Sequence, residues 1–410
     1  MINKCIFPFF LLLSLAAGAR SQEIRPAVEV TQTLAGEGFE LVRAAFRHDT
    51  LYIAMENRVW RSQARGAAEA IRAAVPLCGD ASHIALTLLH DGIPVTTVTV
   101  PCRQVQALLA GEITAGDFTR SVIAGYDNRG YRTVLAGRTP ARPSYRKADV
   151  TVGPSLRMQF GNFDHPLEAG ISVVPTVRVT LLKGMSLTGQ LVVPLFSNII
   201  GDAEGTTVRP GLLVLSQTFR LPYNLFTTVS AGSFSRNRYG IDGEARKFLF
   251  GGRVSAGVRL GYTGHQQFID GAFYYRSPDR FTWFADGSWR WARYDLTLDA
   301  GYGSFIAGDR GWRAGVSRQF GEITIGFFAL RTDRVWNGGF SFVVPLPPRH
   351  YGTRGVVRLR PVSTVPWEYR ARGLPSQGRE YGTGSLFDDW MPGMEPRWIR
   401  GEMGKGMEPE

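Results

Sequence analysis

The feature that most constrains this chain is a period of two. Between Thr151 and Pro347, about a dozen short segments alternate apolar and polar residues, with turn signals between them and no long helix among them. From Phe281 to Trp291, the residues Phe281, Trp283, Ala285, Gly287, Trp289 and Trp291 share one parity. Thr282, Asp286, Ser288 and Arg290 take the other, with Phe284 the exception. Tyr294–Tyr302 and Val254–Tyr262 repeat the pattern. A strand turns successive side chains to opposite faces, so each segment has one apolar face and one polar face.

Two architectures fit. A soluble sandwich or barrel buries the apolar face; a transmembrane barrel turns it to lipid and keeps a polar lumen. Trp283, Trp291, Tyr294, Tyr302 and Tyr262 lie near the ends of the apolar faces, where interfacial girdles form. The opposite parity is rich in Gly, Ser, Thr, Arg and Asp, which a soluble core cannot use. The segments have the length a tilted strand needs to cross a bilayer. The pattern therefore predicts a mainly β fold: an antiparallel transmembrane β-barrel over residues 151–347, preceded by a small α/β domain. Thirteen segments can be read, and bacterial single-chain barrels have even counts, so the expected number is about 12, with 14 the alternative. The loops Ser197–Val208 and Phe234–Arg238 are expected to face outward and the tight turns inward.

No apolar run long enough for a spanning helix follows the N-terminus, and the mean hydropathy is −0.08, which excludes a helical membrane protein. Residues 1–21 read as a secretory signal, with Lys4 in the n-region and Ile6–Ala17 as its apolar core. Cys5 leaves with it. Cys78 and Cys102 remain, and an oxidising export compartment favours a disulfide between them over two buried thiols. The net charge of +12 (47 basic, 35 acidic residues) is spread along the chain rather than clustered with stacking aromatics, which argues against nucleic acid. It suits an anionic partner such as lipid headgroups or an acidic polysaccharide, or plain surface solubility.

Residues 22–126 form the α/β domain. Leu51–Trp60 alternates as a strand, Ser62–Val75 carries a helical apolar stripe, Ile84–Leu89 and Val95–Val100 flank a turn at His90–Pro94, and Arg103–Gly111 is a short helix. Residues 127–150 read as an Arg/Gly/Pro-rich linker. Residues 348–410 read as a Pro/Gly/Arg-rich tail, with Pro345, Pro347 and Pro348 ending the sheet, a short strand available at Val356–Arg360, and fraying expected over Gly401–Glu410. The tail's aromatics suit docking on a partner or plugging the barrel.

Chemical motifs are missing. There is no phosphate loop, no His-Glu-x-x-His and no Gly-x-Ser-x-Gly elbow. His48, His83 and His90 are expected at the surface or in turns, and Asp388-Asp389 in a solvated turn. No catalytic residue, metal site or cofactor is expected, and the chain reads as non-enzymatic. The polar parity supplies the lumen candidates Arg178, Arg253, Arg259, Asp270, Asp286, Arg290, Asp295, Asp299 and Arg313. Their mixed signs suit charge pairs across a filled interior as well as a channel.

Three stretches carry a resemblance: Leu51-Tyr52-Ile53-Ala54-Met55-Glu56-Asn57-Arg58 with the helix and hairpin after it, Arg318–Phe328, and Gly338–Arg349 followed by Trp367-Glu368-Tyr369-Arg370. Together they resemble the YjbH-like family of exopolysaccharide and capsule biosynthesis outer-membrane proteins. The resemblance implies a barrel that supports export or assembly of an extracellular polysaccharide, as conduit or scaffold. It also implies placement in the outer membrane of a Gram-negative bacterium, with the N-terminal domain and tail in the periplasm. The implied partners are outer-membrane lipid, an acidic polysaccharide and other proteins of the export machinery. The alternative is a filled barrel that anchors a partner-binding periplasmic domain.

Overall fold

A computed structural model describes residues 26–135, 139–160, 167–199, 204–269, 271–333, 335–352, 355–370 and 377–407. The expected signal over residues 1–21 lies outside them.

The N-terminal domain starts with a helix, α1 (26–36). Its sheet runs in the order β1 (Glu40–Arg47), β2 (Thr50–Glu56), β3 (His83–His90), β4 (Ile93–Pro101), β5 (Ile123–Gly125). β2 and β3 are parallel, joined by the helix α2 (Gln63–Ala74); the other pairs are antiparallel. Ser62 caps α2, accepting a hydrogen bond from the Arg65 amide. One face of α2 is Ala64, Ala67, Ala68, Ile71 and Ala74, all buried; the alanines allow close approach. The short helices α3 (Cys102–Leu109), α4 (Ala115–Ser121) and α5 (Arg129–Leu135) complete the domain. The expected linker is therefore partly folded: it contains α5, and Ala141 bridges to Val42 of β1.

The large sheet contains fifteen strands. Twelve follow one another antiparallel: β6 (Ala148–Phe160), β7 (Leu167–Leu182), β8 (Met185–Ser197), β9 (Arg209–Leu221), β10 (Leu225–Phe234), β11 (Arg238–Leu249), β12 (Val254–Ile269), β14 (Arg280–Trp291), β15 (Leu296–Ser304), β16 (Arg310–Phe320), β17 (Ile323–Thr332) and β18 (Trp336–Pro345). Between β12 and β14 lies β13 (Ala272–Tyr275), a short flap paired only with the end of β12, where the sequence reads a full segment at Phe268–Arg276. The sheet runs past the expected boundary at Pro347. Residues 346–352 reach back to the domain, where Tyr351 donates its amide to Val59 O. The chain then returns as β19 (Val357–Pro361), parallel to β6, and β20 (Thr364–Arg370), antiparallel to β18. The two sheet edges are thus joined by two residues of chain, and Val362 donates its amide to Val152 O of β6. Among the described residues no ladder joins β20 to β6.

The faces are sorted as the alternation requires, with the apolar parity outside. Leu215, Val229, Val258, Leu260, Phe281, Trp289, Phe327 and Phe340 are exposed, while Ser216, Thr218, Thr228, Ser230, Asp242, Ser255 and Thr282 are buried. A soluble sandwich would do the reverse. The described helices include none long and apolar enough to cross a membrane.

Residues 401–407, where fraying is expected, are helical instead. After α6 (Phe387–Trp390), the helix α7 (Pro396–Met407) packs on α2, burying Trp398, Ile399, Met403 and Met407 in the same core as Val30, Ile71 and Phe118. Gly404 and Gly406 make this possible: a Cβ at Gly404 would sit 2.8 Å from Thr119 Oγ1, and one at Gly406 would sit 3.3 Å from the Ala68 methyl.

Candidate functional site

The polar face of the large sheet is built in two halves. On β7–β10 it presents small hydroxyl residues that bond across strands: Ser216 with Ser230 at 2.9 Å and Thr218 with Thr228 at 3.0 Å. From β11 to β18 it is charged. Arg246 bonds Asp286 at 2.9 Å, Arg259 bonds Asp242 at 2.9 Å, and Arg313 reaches Glu368 of β20 at 3.2 Å. The first two pairs lie on next-neighbour and facing strands, within reach of long side chains, while the third spans from β16 across β17 and β18 to β20.

The tail crosses this face. The Ile306 amide donates to Arg379 O, the Tyr381 hydroxyl to Asp242 Oδ2 at 2.7 Å, and Arg259 Nη2 to Tyr381 O at 2.9 Å. Gly382 N donates to Ser235 Oγ, Arg178 Nη1 to Gly384 O, and Phe387 N to Glu244 Oε2. The sheet leaves room for this segment: a Cβ at Gly261 would overlap the Tyr381 hydroxyl. Between the tail and β11–β18 remains a cavity of about 510 Å³, within the roughly 300–1,000 Å³ of small-molecule sites.

Five of the nine lumen candidates line that cavity: Arg259, Asp286, Arg290, Asp299 and Arg313. Arg178 shares the polar face and lies beneath the tail, its Nη2 2.7 Å from Asp91 Oδ2. Arg253 and Asp295 require correction. Both are exposed at turns, because β12 begins only at Val254 and β15 only at Leu296. Asp295 takes a left-handed backbone (φ 50°) after the turn at Ala292–Tyr294, a geometry Asp tolerates and a strand does not use. Asp270 lies outside the described residues. Asp388-Asp389 is solvent-exposed as expected, but it lies in the short helix Phe387–Trp390 and has partners: Asp388 lies 3.5 Å from Arg246, and Asp389 accepts the Leu386 amide at 3.0 Å. The sequence reading passed over Glu244 and Arg246, although both follow the inward parity of β11. It also passed over the tail acids, which no periodicity marks.

A second cluster docks the domain on the sheet. Arg58, buried, meets Glu56 at 2.6 Å, Asp91 at 2.8 Å and Asp149 of β6 at 3.3 Å. Arg358 of β19 joins Asp149 at 2.8 Å and Glu40 of β1 at 2.7 Å, and Lys147 caps Glu40 at 2.7 Å. Burial opposes ionisation of Asp91, but Arg178, His90 and Arg58 hold its carboxyl well below the usual range. Burial wins at Glu56, whose pKa is raised despite Arg58. His90, expected in a surface turn, is mostly buried and stacks on Trp390 of α6, ring centroids 4.0 Å apart. Burial lowers its pKa to about 3.

Cys78 and Cys102 are brought together, but as two buried free thiols rather than the expected disulfide. Burial and the neighbouring Cys78 push the Cys102 thiol up to about 12. The described residues contain no group of three His, Cys, Asp or Glu placed to hold a metal ion.

A family model described as exopolysaccharide biosynthesis protein YbjH matches residues 16–341. No curated protein and no solved structure matches the chain.

Proposed function

The chain belongs to the YjbH exopolysaccharide biosynthesis family, and from that premise we propose that it is an outer-membrane β-barrel supporting export or assembly of the polymer without catalysing a bond change. The observation that carries the reading is the outward apolar face. Soluble monomers rarely expose apolar patches beyond a few hundred Å²; here outward residues of all twelve consecutive strands contribute, from Val152 to Val344. Exposed aromatics mark both ends of the band: Tyr223 and Phe250 in turns beside the domain, Tyr274, Tyr275 and Trp336 at the other end. The domain-side turns are short, at Lys183-Gly184, Pro222–Asn224, Phe250–Gly252 and Gly321-Glu322, as on the periplasmic side of such barrels. The domain and α7 then face the periplasm, where other export proteins meet them.

The ring closes through residues 357–370, whose first half pairs with β6 and second half with β18. The tail then occupies the lumen, so the path is shut at rest and opens when the tail moves. A filled barrel that anchors the domain is the second reading, favoured by the same tail contacts and by the buried ion pairs under the domain. One experiment tests both. Remove residues 377–410, confirm a heat-dependent gel shift, and record ion conductance in bilayers beside the full chain. Conductance in the truncated chain alone supports a gated conduit, while silence in both supports the anchor. Unchanged surface polysaccharide after gene deletion would remove the export reading itself.

A further inference from the structure

We propose that residues 377–395 are an internal stand-in for an acidic glycan, and that the face beneath them takes a carboxylate-bearing polysaccharide segment. This rests on the polar face being an export path. Three tail carboxylates each meet one wall arginine: Glu380 with Arg259 at 3.5 Å, Asp388 with Arg246 at 3.5 Å, Glu395 with Arg290 at 3.3 Å. The three arginines stand on three neighbouring strands, β11, β12 and β14, at staggered heights: Arg246 pairs with Gly257, two residues from Arg259, while Arg290 lies beside Arg253 at the domain end. Guanidinium groups match carboxylates in shape as well as charge.

The charge of the wall depends on the tail. Around the cavity, six carboxylates face four guanidinium groups, and three of the six belong to the tail. Withdrawal leaves three against four, which turns a net acidic site into a net basic one. The other contacts are of a kind that sugar hydroxyls reproduce. The Tyr381 hydroxyl bonds Asp242, and its ring lies under the Arg259 guanidinium, 4.5 Å away. A uronic-acid chain entering the face replaces the tail contact for contact. A neutral chain strips the arginines of three partners and supplies none.

The test uses the full chain in detergent at low salt, with oligogalacturonate and a neutral malto-oligosaccharide of equal length as probes. Trypsin cleavage after Arg379, read by mass spectrometry, reports displacement, because that peptide bond is held against Ile306 while the tail is seated. Oligogalacturonate is expected to expose the site and the neutral probe to leave it protected. The combined substitution Glu380→Gln, Asp388→Asn and Glu395→Gln should lower the required oligogalacturonate concentration roughly tenfold. Arg246→Gln with Arg259→Gln should abolish the response. Equal displacement by both probes, or by neither in wild type and tail variant alike, overturns the proposal. The gel shift of the same preparation checks the barrel separately, so a negative result with an intact shift counts against the ligand class alone.

Discussion

Leu260→Arg separates a membrane barrel from a water-exposed sheet. Leu260 is 48% exposed on β12, facing outward between Gly243 of β11 and Trp283 of β14. The outward apolar residues of this strand are Ala256, Val258, Leu260 and Tyr262, so Leu260 lies well inside the band. If that band meets lipid, an arginine there costs about 2–4 kcal/mol near the midplane, falling to about 0–1 kcal/mol near the interface. If it meets water, a surface substitution stays within about 0.5 kcal/mol. The two cases differ by about 30- to 700-fold in the folding equilibrium against near unity. The assay is reversible urea unfolding in lipid vesicles, with the folded fraction read by gel mobility. Phe281→Arg is the depth control: Phe281 pairs with Tyr262 towards the far end of the strand. A larger loss at Leu260 than at Phe281 is expected. Equal losses, or a Leu260→Arg protein within about 0.5 kcal/mol of wild type, would refute the outward-to-lipid assignment.

Arg58→Met leaves Glu56, Asp91 and Asp149 without their shared cation and should destabilise the domain–sheet junction by about 3–5 kcal/mol. Calorimetry on the full chain should show the domain transition lowered by about 6–20 °C, and a fall under about 2 °C would mean the cluster is not structural. His90 has its pKa lowered to about 3, so between that value and the ordinary 6.5 the folded state binds fewer protons than the unfolded. Stability should therefore fall as pH drops from 6.5 to 5, by at most about 1.4 kcal/mol per pH unit from this residue, and His90→Gln should flatten the slope; an unchanged slope would sink the assignment. Gly261→Leu places side-chain atoms where the Tyr381 hydroxyl sits, and should release the tail and speed trypsin cleavage after Arg379. Unaltered cleavage would mean the tail is held elsewhere.

The strands were legible because alternation is local: the parities read over Phe281–Trp291 and Val254–Tyr262 are the faces the structure shows. Parity failed where a strand was extended into a turn, at Arg253 and Asp295, since a helical turn shifts the count that assigns faces. The tail was illegible for another reason. Glu380 and Arg259 are 121 residues apart, and Asp388 and Arg246 are 142 apart, so nothing near either member marks the other. The docking cluster was half visible. Asp149 and Arg178 sit opposite each other in the β6–β7 register, but Arg58 and Asp91 belong to a different sheet.

Twelve antiparallel strands alone would bring β6 and β18 together as antiparallel neighbours. The chain inserts residues 357–370 between them instead, and an added strand that runs antiparallel to β18 must run parallel to β6. That pairing is the shortest along the sheet's path: five paired positions join β19 to β6, against twelve between β11 and β12. Side chains reinforce it, and they are the ones that hold the domain. Arg358 of β19 grips Asp149 of β6 and Glu40 of β1; Asp149 also meets Arg58, Arg58 meets Asp91, and Asp91 meets Arg178, which holds Gly384 of the tail. Seam, domain and tail therefore share one buried chain of charges. Parting the domain from the sheet breaks that chain, and it does so beside both the β19–β6 pairing and the segment lying across the polar face.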